Sequence, residues 1–180
     1  MSVNAKVALL TLIGALALVN WSIFSKEQHL AEGRVVYLEL APVDPRSLLQ
    51  GDYMALRFAL GQAVQRALPR AETDQSRPWR QSVEAADGHV VVALDDRNIA
   101  TFRDLYERQS LAEDEILLRY RVRHGRVKFA TNAFYFQEGH AGVYQPARYG
   151  RFRVDGHGEL LLVGLHDEQL VPLAPGEPTR

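Results

Sequence analysis

The sequence predicts a mainly β protein: one β-rich, barrel-like domain with one or two short helices, preceded by an amino-terminal transmembrane helix. Three observations predict it. An uncharged apolar run lies near the start, short stretches of alternating polar and apolar residues fill most of the remainder, and turns rich in Gly, Pro and Asp separate those stretches. The length of 180 residues accommodates one ordinary domain plus a short appendage. Its apolar share of 47% and charged share of 24% are those of a globular chain, and a net charge of −1 supplies no electrostatic reason to bind nucleic acid. The absence of cysteine excludes disulfides, thiolate metal sites, cysteine nucleophiles and a lipid-modified cysteine.

Residues 7–24, VALLTLIGALALVNWSIF, carry no charge over 18 positions. As a helix they reach about 27 Å, close to the thickness of a bilayer's hydrocarbon core. Thr11, Asn20 and Ser22 are the clearly polar interruptions, and Trp21 stands near the far end, where an indole favours the headgroup zone. A cleaved signal peptide would use Ala15-Leu16-Ala17 as its small-residue site, but Leu18, Val19, Trp21, Ile23 and Phe24 continue the apolar run past that point. A buried core helix would show a polar stripe at helical period, and none is visible. The reading is an uncleaved signal anchor: 1–6 a cytoplasmic leader, 7–24 the span, 25–32 a linker, 33–171 the extracytoplasmic domain. One lysine on each flank (Lys6, Lys26) barely orients the span; a short leader before a long domain keeps the amino terminus in the cytoplasm.

Alternation begins after the linker. Residues 34–40 read as a β-branched, aromatic strand ended by Pro42, and 43–50 as a structured loop opened by Asp44-Pro45. Residues 51–58 resume as a strand with Tyr53, Ala55 and Arg57 on one face and Met54, Leu56 and Phe58 on the other. A short helix is expected over 61–68 and an exposed polar loop over 69–88. Residues 89–94 form a buried strand with its turn at Asp95-Asp96-Arg97-Asn98; 100–106 are ambiguous between strand and helix. Hairpins follow over 116–136, turning at His124-Gly125-Arg126, and over 151–165, turning at Asp155-Gly156-His157-Gly158. The end, 172–180, holds Pro175, Gly176 and Pro178 and is expected to be a disordered tail.

The most informative motif is Gly51-Asp52-Tyr53-Met54-Ala55-Leu56-Arg57-Phe58, preceded by Asp44-Pro45-Arg46-Ser47-Leu48-Leu49. It resembles the signature of the bacterial GDYxxLxY family of small membrane-anchored proteins. Gly51, Asp52, Tyr53 and Leu56 match directly, and Phe58 keeps the ring of the family's final tyrosine without its hydroxyl. Phe136-Gln137-Glu138-Gly139, Ala147-Arg148-Tyr149-Gly150, the Arg153-Val154-Asp155 hairpin and the leader helix also look like the family, so the resemblance spans nearly the whole chain. It implies a membrane-anchored domain without an established reaction; with the short leader in the cytoplasm, the chain is expected to be a single-pass protein of the bacterial inner membrane whose domain faces the periplasm. Turn chemistry alone accounts for Gly, Asp and Pro at a loop-to-strand corner. The functional alternative is a recognition corner lined by Asp44, Pro45, Arg46, Gly51, Asp52, Tyr53, Leu56 and Phe58.

A second class competes. Signal peptidases also carry an amino-terminal membrane helix and a β-rich domain with Gly-Asp opening a strand, but Val43 stands where their nucleophilic serine falls. That leaves Ser47 and Lys128 as the hydrolytic alternative, the latter being the one lysine beyond the anchor's flank. The six histidines have no metal-ligand spacing, and Asp95-Asp96 and Glu113-Asp114-Glu115 lack the calcium-loop pattern, so no cofactor or metal is expected. Arg119, Arg121 and Arg123 alternate along one strand and Arg151 and Arg153 along another; the wet face of an antiparallel sheet explains them, with an anionic partner as the alternative. The chain is therefore expected to be an accessory or interaction module, not an enzyme, held in the lipid bilayer beside another membrane protein.

Overall fold

The computed structural model describes residues 3–41, 49–50, 53–69 and 87–175. Helix α1, Val3–Glu32, is continuous for 30 residues, so the expected linker over 25–32 is two further helical turns. Its apolar side chains have no cover: Leu10, Leu18, Trp21 and Phe24 are each more than 60% exposed, which is incompatible with a core helix. It is long and apolar enough to cross a membrane. The polar residues within it satisfy themselves, Thr11 Oγ1 donating to the Val7 carbonyl at 3.0 Å and Asn20 Nδ2 to the Leu16 carbonyl at 2.8 Å. Such back-bonding hides polar groups that hydrocarbon does not solvate.

Gly33 ends the helix, its N–H donating to the His29 carbonyl at 3.0 Å. A Cβ there would stand 2.5 Å from the same carbonyl and 3.0 Å from the Arg153 Cβ, so glycine is needed for close approach. The chain passes directly into β1, Arg34–Glu39. The remaining elements are β2 (Leu49–Gln50), β3 (Tyr53–Ala55), α2 (Ala59–Ala67), β4 (Asp87–Leu94), β5 (Ala100–Leu105), β6 (Glu115–Arg123), β7 (Arg126–Lys128), β8 (Ala133–Tyr135), α3 (Ala141–Tyr144), β9 (Tyr149–Val154), β10 (Leu160–His166) and β11 (Pro172–Leu173).

They form three antiparallel sheets, ordered β1-β9-β10-β11, β2-β3-β8 and β5-β4-β6-β7, that curl into a half-barrel. Backbone bonds stitch them together: Tyr37 N–H to the Asn98 carbonyl (2.9 Å), Ala41 N–H to Arg57 (2.8 Å) and Arg119 N–H to Gly158 (2.8 Å). One apolar core results, in which Val36, Leu38 and Leu40 alternate inward from β1 and Phe152 meets Phe58 edge-on at 5.4 Å.

Several expectations are met in detail. The burial alternation over 53–58 has the predicted phase, α2 falls within two residues of its expected position, and both hairpins turn where glycine and aspartate predict. Asp155 Oδ1 accepts from the N–H groups of His157 (2.9 Å) and Glu159 (3.0 Å), closing the second turn. Four points differ. The strand expected over 51–58 is regular over Tyr53–Ala55, after which Phe58 makes an isolated bridge to Leu40. The strand returning from the first hairpin stops at Lys128; Ala130 takes a φ of +34° and β8 leaves to pair with β3, Met54 opposite Phe134. Asp87 and Gly88 belong to β4 rather than to a loop. Pro172–Leu173 pairs with β10, so the first residues of the expected tail complete a sheet.

Candidate functional site

Of the expected recognition corner, Asp44, Pro45, Arg46, Gly51 and Asp52 lie outside the described residues, as does Ser47 of the hydrolytic alternative. Tyr53, Leu56 and Phe58 are described. Tyr53 is half-buried on β3 with its ring 5.8 Å from that of Tyr135, its cross-strand partner. Leu56 and Phe58 are buried in the core, which explains why a ring without a hydroxyl serves at position 58: its visible partner is the face of another phenylalanine.

The segment carrying Leu56 and Phe58 also walls an open cleft of about 690 Å³, whose other sides are α2 and the strip from β7 to Asn132. Leu56, Phe58, Val127 and Phe129 supply its apolar surface. Among the described lining residues its charges are Arg57, Arg66, Arg126 and Lys128, with no carboxylate. Among the described residues none of these four cations takes part in an ion pair. Gln65 builds the corner: its Oε1 accepts from the Val127 N–H at 3.0 Å and its Nε2 donates to the Gly125 carbonyl at 3.0 Å. The side chain thereby occupies the outer edge of β7 as a neighbouring strand would, and it pins α2 in place. Arg66 Nε donates to the Gln62 carbonyl at 3.3 Å, which holds its stem along the helix.

A family model, that of the GDYXXLXY protein, matches residues 15–165. The chain belongs to the GDYXXLXY family. No curated protein and no solved structure matches it significantly. In this GDYXXLXY protein Leu56 and Phe58 of the signature are thus at once core and cleft wall.

Elsewhere in the GDYXXLXY domain three arginines are matched by carboxylates. Arg119, in the expected arginine stripe, is paired with Glu159 and, at 3.4 Å, with Asp87, while Arg123 meets Asp87 at 2.8 Å and Arg148 meets Glu39 at 2.7 Å. Hydrogen bonding from Arg123, with Arg119 assisting, holds the Asp87 carboxyl below its usual range, and Glu159 raises the Arg119 guanidinium. The stripe is also split, since β6 and β9 belong to different sheets. Arg153 instead donates from Nη1 to the Gly33 carbonyl at 2.8 Å, and the buried His29 ring places Nε2 2.9 Å from the Arg153 carbonyl and Nδ1 3.9 Å from Asp155. Those four residues join the anchor helix to the domain.

Among the described residues no group of three His, Cys, Asp or Glu side chains is placed to hold a metal ion. His166 is buried against the edge of Tyr37, at 5.3 Å between ring centroids, and burial with the nearby Arg151 cation lowers its pKa against the opposing pull of Asp167. Lys128 is half-buried on β7 at the cleft. The cleft was not legible in the sequence because its cations come from three separate segments, the connection after β3, α2 and β7; the cue was the alternation Arg126-Val127-Lys128 directly after the hairpin turn.

Proposed function

We propose that this GDYXXLXY protein is a single-pass protein of the bacterial inner membrane whose β-rich domain faces the periplasm and works as an accessory or interaction module beside another membrane protein, without catalysing a reaction of its own. The observation that carries this reading is the joint. An apolar helix of spanning length runs unbroken into the domain, and His29, Gly33, Arg153 and Asp155 clasp it there. A domain on a loose tether samples many poses; one on a clasped helix presents the same face to its neighbours in the plane of the membrane. Confinement to that plane raises the effective concentration of a partner, and a fixed pose avoids part of the entropy of docking.

In-cell photo-crosslinking tests it. Crosslinkers at exposed positions such as Tyr135 and Glu168 should give a discrete adduct with one membrane protein, and a Gly-Ser insert between Glu32 and Gly33 should weaken that adduct while leaving the domain folded. A topology reporter fused after Arg180 should be active in the periplasm. Mature protein that begins beyond Phe24 and fractionates with aqueous extracts, or a chain that yields no discrete adduct from any exposed position, would contradict the proposal.

A further inference from the structure

We propose that the cleft between the signature segment, α2 and β7 is a binding site for an anionic amphiphile, a molecule carrying a phosphate or carboxylate on an apolar body. This site stands independently of the partner reading. Chain separation makes the gathering of charge notable: Arg57, Arg66, Arg126 and Lys128 come from three different parts of the fold yet line one concavity with no carboxylate among its described lining residues. In the same molecule Arg119, Arg123 and Arg148 are each matched by an acidic side chain. Like charges gathered in a concave, low-dielectric wall focus a positive potential and draw anions to it. Guanidinium groups in particular match the geometry of phosphate and carboxylate oxygens.

The apolar surface specifies the rest of the ligand. The accessible lining of the cleft is more apolar than polar, with Leu56, Phe58, Val127 and Phe129 along its walls, so a bare inorganic anion would leave apolar surface wet. The exposed amides of Gln62 and Asn132 add polar partners at the wall. An extended peptide is disfavoured for a specific reason: Gln65 already occupies the outer edge of β7, so the main-chain pairing by which a strand would add there is taken. A volume of about 690 Å³ lies within the range of small-molecule pockets. The same chemistry is available from an anionic phospholipid and from a soluble amphiphilic acid.

Full-length protein in phosphatidylcholine nanodiscs, titrated calorimetrically with octyl phosphate against empty discs, tests the site. Saturable binding of one octyl phosphate per chain is expected, with octyltrimethylammonium giving no saturable component and inorganic phosphate binding at least about tenfold more weakly. Arg57→Gln, Arg66→Gln and Arg126→Gln keep a polar side chain at exposed positions, and each should weaken octyl phosphate about tenfold, the worth of one charge-assisted hydrogen bond. Lys128→Gln is the fourth variant, and unchanged melting of each confirms the fold. Discs containing phosphatidylglycerol separate the sources: loss of octyl phosphate binding there assigns a phospholipid, and undiminished binding assigns a soluble acid. Equal affinity for the cationic amphiphile, equal affinity for inorganic phosphate, or unchanged binding in all four variants would overturn the proposal.

Discussion

The joint and the cleft are both built with arginine, and they use it oppositely. At the joint Arg153 donates to the Gly33 carbonyl, the His29 ring meets the Arg153 carbonyl, and Asp155 stands opposite that ring, so polar groups at the joint have partners. In the cleft Arg57, Arg66, Arg126 and Lys128 have no ion-pair partner among the described residues. Polar groups with partners hold structure together, because removing one strands the other. Charges without partners add little to stability and keep their capacity for a ligand. The difference separates, within one small domain, residues that maintain its pose from residues that give its surface a chemistry.

The largest effect should come where core and cleft share a side chain. Phe58→Ala removes the ring packed on Phe152 and is expected to cost about 3–5 kcal/mol in chemical denaturation, enough to abolish both regions together. At the joint alone, Gly33→Val forces a Cβ into the His29 carbonyl and Arg153; a loss of about 1–3 kcal/mol is expected, together with release of the helix from the domain. The sharpest contrast is between two single arginines. Arg153→Ala should cost about 1–2 kcal/mol by leaving the Gly33 carbonyl unpaired, whereas Arg126→Ala should stay within about 0.5 kcal/mol of the parent. Equal costs for the two would erase the distinction.

The smallest effect concerns protons and lies outside both regions. His166 has its pKa lowered below the ordinary 6.5 by burial and by Arg151, so the folded state prefers the neutral ring more strongly than the unfolded chain does. Its contribution is therefore complete above about 6.5 and is lost as pH falls through the lower folded value. Melting temperature should decline on acidification below that point, and His166→Gln should flatten this part of the profile; an unchanged slope would show that other groups set it.

Local pattern carried much of this fold into view. The anchor, α2, β4 and the β9–β10 hairpin follow from hydropathy, alternation and the Asp155-Gly156 turn, all short-range signals. What escaped are pairings between distant segments. β8 joins β3 rather than β7, a choice made by the left-handed turn at Ala130 and by core packing of Met54 and Phe134, neither of which leaves a periodic trace. The stretch before Gly33 is helix because nothing from Ser25 to Glu32 breaks one, while its polarity alone reads as linker. The candidate site was visible in part: Leu56 and Phe58 belong to the motif, but the cations opposite them are brought in by α2 and β7. The spacing of Arg119, Arg121 and Arg123 marks a charged stripe, yet carboxylates quench Arg119 and Arg123.

The clasped joint is the central claim, and the lack of native cysteine makes it directly measurable. Spin labels at Glu27→Cys and Gln169→Cys, in full-length protein reconstituted in nanodiscs, report the distance between helix and domain by pulsed electron resonance. A single narrow distance distribution is expected, broadening in Gly33→Val. A distribution as broad in the parent as in a variant with a Gly-Ser insert after Glu32 would contradict the account.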